Sequence, residues 1–476
     1  MAGVIAYGAY LPYFRLQRST ISAALGTPMA GGARAVAAYD EDTTSMGVEA
    51  GRLALRSLGD AGPQLAQVLF ATADPAYLDK TNATAVHAAL DLGGGVPAYD
   101  MVGSVRSGIG ALLAGVRSAE PSLVVLSDIR TGLPGGGDEA AGGDGAVAFM
   151  TGEGPVIAEL VASAGSTAEF LDRWRLPGEV SSHRWEERFG ETVYVPLAES
   201  AVTDAFKQAG VTAEDVDHLI VTGVHARACR RVAGSVGARS EAIVDDRTSV
   251  IGNCGTAHAG LLLADVLDRA DPGQVIAVVV LADGVDVLLL RTTDALDAYR
   301  QGRAPTVARQ IAEGNDSLPY ATFLTWRGML RREPPRRPDP ERPAAPPAFR
   351  REPWKYAFTG SRCEACGTRH LPPQRVCVKC GAVDRMAPER LADVPATVAT
   401  FTVDRLAFSL SPPVVAAVID FDGGGRFQCE LTDVDPAAVA IGDRVEMTFR
   451  RLFTAQGVHN YFWKARPVRG EPREER

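Results

Sequence analysis

Four cysteines carry the plainest chemical signal in the chain. Cys363-Glu-Ala-Cys366 and Cys377-Val-Lys-Cys380 are two Cys-x-x-Cys knuckles separated by ten residues, each followed by a glycine, Gly367 and Gly381. Two such turns offer four thiolates to a tetrahedral zinc ion, and with every position filled by protein the site is closed and structural. A redox dithiol is the alternative. Of the other three cysteines, Cys429 falls in a β-rich run, while Cys229 and Cys254 lie in the first part of the chain. The glycine-rich stretch 132–145 lacks the Gly-Lys-Ser/Thr ending of a phosphate loop and contains Asp138, Glu139 and Asp144. It reads as a mobile loop, at a dimer interface or at the mouth of a site.

The elements that must position such residues show themselves through an internal repeat at an offset of about 150 residues. Glu49-Ala-Gly-Arg-Leu-Ala-Leu-Arg-Ser-Leu-Gly59 is a helical pattern followed by the apolar strand Val68-Leu-Phe-Ala-Thr72; Glu199 to Gly210 and His218-Leu-Ile-Val-Thr222 repeat both. Gly108 to Val116 has its counterpart in His258 to Val266. Both helices are rich in small residues and apolar nearly all round, which predicts burial. Each leads to an apolar strand, Leu123-Val-Val-Leu-Ser-Asp128 and Val278-Val-Val-Leu-Ala-Asp283. Alternating helices and fully apolar strands imply a parallel-rich sheet covered on both faces. A duplicated unit with a buried helix in each half implies an αβαβα sandwich, with two separate doubly wound domains as the alternative.

The chain has 476 residues, 46% of them hydrophobic and 22% charged, which leaves room for roughly two to four domains and excludes a disordered protein. Its net charge of −9 argues against nucleic acid as a principal partner. The first residues carry no basic and apolar leader, and the run 275–290 is interrupted by Asp283 and Asp286. The expectation is a cytoplasmic protein with no membrane partner. One composition change divides the chain: residues 334–353 read PPRRPDPERPAAPPAFRREP, a linker whose prolines favour extended backbone. Lys and Arg number 32 against 43 Asp and Glu before residue 354, and 17 against 15 from there on, so the acidic excess belongs to the first part.

Several motifs together carry a family resemblance over residues 1–330. Tyr39-Asp-Glu-Asp-Thr-Thr-Ser-Met-Gly-Val-Glu-Ala50, Asp100-Met-Val-Gly-Ser-Val-Arg-Ser-Gly-Ile-Gly110, the glycine-rich 135–146 and Val250-Ile-Gly-Asn-Cys-Gly-Thr-Ala-His-Ala-Gly260 resemble archaeal-type 3-hydroxy-3-methylglutaryl-CoA synthase of the thiolase superfamily. The resemblance implies a duplicated thiolase-like α/β fold, acyl-CoA as ligand and a homodimer. It also implies a catalytic set: a cysteine acylated at a buried helix N-terminus, a glutamate base, and a histidine and an asparagine serving the second thioester. Here the cysteine position is Val105 and the glutamate position is Ala73, whereas His225 and Asn253 match the histidine and asparagine. Without the thiol there is no acyl-enzyme, but two donors toward a thioester oxygen still serve aldol or retro-aldol chemistry. Ser104 and Ser107 flank Val105, but a serine would need a base within hydrogen-bond reach to replace the cysteine, and Ser104, Val105 and Cys254 are the expected substrate-binding residues. Cys254, beside Asn253, is the candidate for a relocated nucleophile, and its plainer reading is a small buried residue in a turn. His258 reads as a satisfied core histidine.

After the knuckles, 396–403, 414–420, 426–431 and 444–449 are short strands separated by turns, the pattern of a small OB-type β-barrel. A rubredoxin-like zinc ribbon joined to an OB-fold resembles the acyl-CoA-associated proteins that partner thiolases, here fused. The expected segments are 1–165 and 166–330 for the two thiolase-like halves, 331–353 for the linker, 354–390 for the ribbon and 391–476 for the barrel. The function expected is carbon–carbon bond formation or cleavage on acyl-CoA thioesters. Two alternatives stand beside it: a non-catalytic CoA-binding scaffold for a partner thiolase, and an OB protein binding single-stranded nucleic acid, which the near-neutral barrel disfavours.

Overall fold

The computed structural model describes residues 2–59, 62–301 and 305–469. They form two compact units: one of residues 1–37, 46–84 and 94–323, the other of 38–45, 85–93 and 324–476.

In chain order the first unit begins with β1 (Ala2–Tyr10), then the pair β2 (Phe14–Gln17) and β3 (Ala33–Val36) around α1 (Arg18–Leu25). The first half continues with α2 (Thr43–Arg56), β4 (Gln67–Thr72), α3 (Ala83–Ala89), β5 (Ala98–Val102), α4 (Arg106–Arg117), β6 (Ser122–Ile129), the short α5 (Gly137–Ala141) and β7 (Asp144–Glu153). The second half runs β8 (Ala158–Ser166), two two-residue strands β9 (Arg173–Trp174) and β10 (His183–Arg184), α6 (Glu187–Ala209), β11 (His218–Gly223), α7 (Ala226–Ser235), α8 (His258–Leu267), β12 (Val275–Leu281) and β13 (Val285–Thr292). The duplication expected from the sequence is therefore present element by element. Its one gap is the partner of β5: in the second half that edge shrinks to a parallel bridge between Leu219 and Ile243.

The strands pair in the order β11-β12-β13-β8-β1-β7-β6-β4-β5, the halves meeting where Gly3 and Val4 pair with Glu159 and Ala158. Helices α4 and α8 share one core with both halves, Leu112 and Val116 packing with Leu262 and Val266 against Leu126, Phe149, Ile220 and Val278. On the outer face of the second half, α6 and α7 bring Tyr194, Val202, Ala228 and Val232 against Val279, Val287 and Leu289. Strand β12 shows why its sequence is apolar throughout: Ile276, Val278 and Val280 face the central core, and Val275, Ala277 and Val279 face the outer one. These layers are the αβαβα arrangement. Close approach in the central layer needs glycine, since a Cβ on Gly108 of α4 would stand 2.3 Å from the Thr256 carbonyl oxygen. No helix among the described residues is long and apolar enough to cross a membrane.

Beyond α9 (Ala295–Gln301), α10 (Val307–Ala312) and α11 (Tyr320–Trp326), the proline- and arginine-rich run departs from the extended linker expected. It holds α12 (Ala345–Arg350) and leads into α13 (Glu352–Lys355). Both have proline at their first positions, where the missing N–H costs nothing and the fixed φ suits a helix. The ribbon is β14 (Thr359–Cys363), β15 (Arg369–His370) and β16 (Met386–Arg390). Strands β17 (Ala396–Asp404), β18 (Val414–Phe421), β19 (Arg426–Leu431), β20 (Arg444–Ala455) and β21 (Val458–Pro467) close a five-stranded barrel in the order β17-β18-β19-β21-β20.

The second unit buries an ionic network. Arg450, fully buried, meets Glu41 at 2.9 Å, Asp40 at 3.4 Å and Asp433 at 2.5 Å, while Lys464 meets Asp40 at 2.9 Å and Glu430 at 2.8 Å. Burial alone would raise the Asp40 carboxyl, but attraction to Lys464 and Arg450 outweighs it and holds the group below its ordinary range. Arg450→Met takes the buried cation away from Glu41, Asp40 and Asp433, leaving Asp40 to Lys464 and Asp433 to Arg469 at 3.5 Å. It should lower the stability of this unit by about 3–5 kcal/mol in urea denaturation followed by tryptophan fluorescence, and a loss near zero would show that the network contributes nothing net.

Candidate active site

The residues singled out in the sequence stand just before the two central helices. At the start of α4 stand Ser104 and Val105, both partly buried, with the Val105 carbonyl accepting from the Gly108 N–H at 3.2 Å. At the start of α8 the chain makes a tight turn through Gly252 (φ +73°), Asn253, Cys254 and Gly255 (φ +51°), then a 3-10 turn over Gly255–Ala257. Asn253 is held at every polar atom. Its N–H donates to the Ala141 carbonyl (2.8 Å), its carbonyl accepts from Gly143 (2.9 Å), its Nδ2 donates to the Gly223 carbonyl (2.8 Å) and its Oδ1 accepts from the Gly255 N–H (2.9 Å).

His225 caps α7. Its Nδ1 accepts from the Ala228 N–H at 3.1 Å, which leaves Nε2 to carry the proton and donate to the Glu187 carbonyl at 2.9 Å. Asp172 is buried nearby, and its Oδ1 has no hydrogen-bond partner. Burial raises the Asp172 carboxyl, partly offset by His225. The Tyr194 ring lies 5.9 Å from the imidazole.

A cavity of about 300 Å³ opens beside Asn253, walled by Gly142, Val221, Gly223, Cys229 and the charged residues Arg18, Arg130, Asp138, Arg173, Arg230 and Asp246. Of the residues singled out in the sequence, Asn253 lines it, whereas Ser104, Val105, His225 and Cys254 do not. Burial pushes the Cys229 thiol up to about 12 and raises that of the fully buried Cys254 further, so both are thiols at neutral pH. The Ala73 carbonyl accepts from Arg175 Nη2 at 2.5 Å. The arginines of the wall had escaped the sequence reading. Arg130 directly follows β6 and Arg173 sits in Asp172-Arg173-Trp174-Arg175, a local cluster of charge and aromatic residues that is the only trace they leave.

In the ribbon the four sulfurs lie within 4.8 Å of one another, with Cys363 to Cys380 at 3.6 Å and Cys366 to Cys377 at 3.5 Å. Sulfurs at the corners of a tetrahedral zinc–thiolate site stand roughly 3.8 Å apart, so the set fits such an ion. Hydrogen bonds from Thr368 lower the Cys366 thiol to about 6, favouring the thiolate that a metal requires.

Comparison with known proteins places these features. Hydroxymethylglutaryl-CoA synthase of Aeropyrum pernix is 30% identical over 349 residues, covering 69% of this chain and 95% of that protein. The chain belongs to the hydroxymethylglutaryl-CoA synthase family. The Archaeoglobus fulgidus synthase is 28% identical over 346 residues, covering 70% of this chain and all of the relative. Residues 355–384 match the ChsH2 rubredoxin-like zinc ribbon domain and 389–450 the ChsH2 C-terminal OB-fold domain. Among solved structures, MvaS in complex with 3-hydroxy-3-methylglutaryl coenzyme A aligns with a TM-score of 0.58 at 19% identity, over 72% of this chain and 94% of that one. The 3-oxoacyl-[acyl-carrier-protein] synthase III of Aquifex aeolicus aligns with a TM-score of 0.52 at 20% identity, over 61% and 100%. The synthase-family part thus spans nearly the whole of its relatives, and the ribbon and barrel are added to it.

His258, at the head of α8, is buried and bonded: Nδ1 accepts from the Cys254 N–H and Nε2 donates to the Asp246 carbonyl. Burial depresses its pKa to about 4. Its neutral form stabilises the fold above the unfolded value near 6.5, and that stability is lost as pH falls toward 4, because the unfolded chain takes a proton that the folded one refuses. The loss amounts to about 3 kcal/mol. His258→Gln should flatten this part of the stability–pH profile measured by urea titration; an unchanged slope would assign the acid sensitivity elsewhere.

Proposed function

We propose that this synthase-family chain binds acyl-CoA and makes or breaks a carbon–carbon bond beside the thioester carbonyl without an acyl-enzyme. The observation that carries the reading is Val105: the resemblance puts the family's nucleophile at this helix N-terminus, and an isopropyl group has neither a proton to lose nor a lone pair to donate. The thiols of Cys229 and Cys254 are held protonated and buried, which supports the same conclusion. The similar structure of MvaS in complex with 3-hydroxy-3-methylglutaryl coenzyme A supports a CoA thioester as ligand.

A retro-aldol step needs no covalent intermediate. A base takes the proton of the β-hydroxyl, the carbon–carbon bond breaks as the carbonyl forms, and its electron pair passes to a thioester enolate that is then protonated. In this reading Asn253 offers its amide toward the enolate oxygen and His225 moves the proton. A second reading, a CoA-binding scaffold for a partner thiolase, is favoured by one observation: both nitrogens of His225 and both ends of the Asn253 amide are already bonded within the chain. We also propose that Cys363, Cys366, Cys377 and Cys380 hold one structural zinc ion.

Intact-protein mass spectrometry after incubation with acetyl-CoA should show no acetyl adduct, and His225→Ala should lower turnover of a 3-hydroxyacyl-CoA roughly 10²-fold. An adduct on Cys254 or a serine would overturn the first reading, and CoA binding with no turnover by the unmodified chain would establish the scaffold. Elemental analysis should find one zinc per chain, absent from Cys366→Ser; a metal-free chain of unchanged thermal stability would remove the zinc assignment.

A further inference from the structure

Ahead of α12 the chain leaves its backbone unspent. Residues 331–344 hold neither helix nor strand, and among the described residues 331–343 make no hydrogen bond and no ion pair. All of 331–344 are exposed except Pro335 and Pro343, which are partly buried. Both ends of the run belong to the second unit, so it is a loop of that unit and not a spacer between the two. A run of this length without regular structure is uncommon in a compact domain unless it is a linker, is disordered or carries a function.

Proline makes the run stiff. Pro334, Pro335, Pro338, Pro340 and Pro343 each fix their own φ and keep the residue before them out of the helical region, so between 333 and 343 only Arg336 and Glu341 retain ordinary freedom. The bend in the run falls at 336–337, and residues 338–344 continue without bend or turn. These constraints select polyproline II, whose backbone groups stay in water and whose period is three residues. That period sets Arg337, Pro340 and Pro343 on one face, about 19 Å from end to end at 3.1 Å per residue. Arg337 is free to meet a partner: the nearby Asp404 carboxylate accepts from the Leu406 and Ala407 N–H groups and feels Arg337 only from beyond ion-pair distance. At the far end Phe349 of α12 is 83% exposed and makes no ring contact among the described residues.

We infer that residues 337–349 are a docking ligand for a partner protein whose groove is lined by aromatic rings and edged by carboxylates. Aromatic ridges accept the proline face, a carboxylate at one end of the groove takes Arg337, and Phe349 offers a ring to anchor the other. A stiff ligand loses little entropy on docking, which is what prolines contribute to such recognition. The charge agrees: Arg331, Arg332, Arg336, Arg337 and Arg342 outnumber Glu333, Asp339 and Glu341, on a chain whose net charge is −9. Nucleic acid is the poorer fit, because the three carboxylates interleave with the arginines and would face phosphate. The inference does not depend on the chemistry beside Asn253.

Fluorescence anisotropy with the full chain and two labelled probes tests it: a purified SH3 domain of the class that takes Arg-x-x-Pro-x-x-Pro ligands, and a single-stranded RNA oligonucleotide. The unmodified chain should bind the domain, and Arg337→Ala and Pro340→Ala should each weaken that binding about tenfold. Both side chains are exposed and unbonded, so the variants should melt with the unmodified chain. Failure of the unmodified chain to bind the domain, or binding that survives both substitutions, would overturn the inference. RNA binding that Arg337→Ala weakens and Pro340→Ala does not, without binding of the domain, would replace it with a contact to phosphate.

Discussion

Two helices packed in the central layer organise the first unit. Helix α8 is buried along its whole length, and helix α4 is buried except at Ala114, Arg117 and the partly exposed residues of its first turn and Gly110. Packing at this density tolerates little: Gly108 must be glycine because the Thr256 carbonyl stands where a Cβ would go. The two short stretches singled out in the sequence, Ser104–Val105 and Gly252–Gly255, lie just before these helices. A change of one side chain there alters the chemistry without altering the architecture.

The layers and the repeat persist, while an aliphatic side chain occupies one helix terminus and arginines gather near the other. Arg175 bonds to the Ala73 carbonyl, and Arg130 and Arg173 stand on the cavity wall. Guanidinium groups are suited to holding anions rather than to attacking carbonyls.

The sequence revealed what depends on local periodicity. The buried helices were legible because they are apolar all round, the strands because both faces are covered, and the ribbon because its ligands come in fixed short spacings. The terminal strand of the second half was not, since residues 243–244 make a single bridge too short for any pattern. The two helices between 345 and 355 were hidden by prolines, which signal extension in general but suit a first turn. The arginine wall was invisible because Arg130 and Arg173 arrive from different loops. Likewise Tyr39-Asp-Glu-Asp42 read as part of a family motif, while its electrostatic partners, Arg450 and Lys464, lie at the other end of the chain.

That last separation has a consequence for the order of events during synthesis. Asp40 and Arg450 are 410 positions apart. At a translation rate of ~5–20 residues per second, the acidic segment leaves the ribosome about 20–80 s before its cation exists. During that interval the Asp40 carboxylate has neither Arg450 nor Lys464 to meet and must stay hydrated. The ionic network thus closes only after β20 and β21 have been made, and the second unit matures no earlier than that.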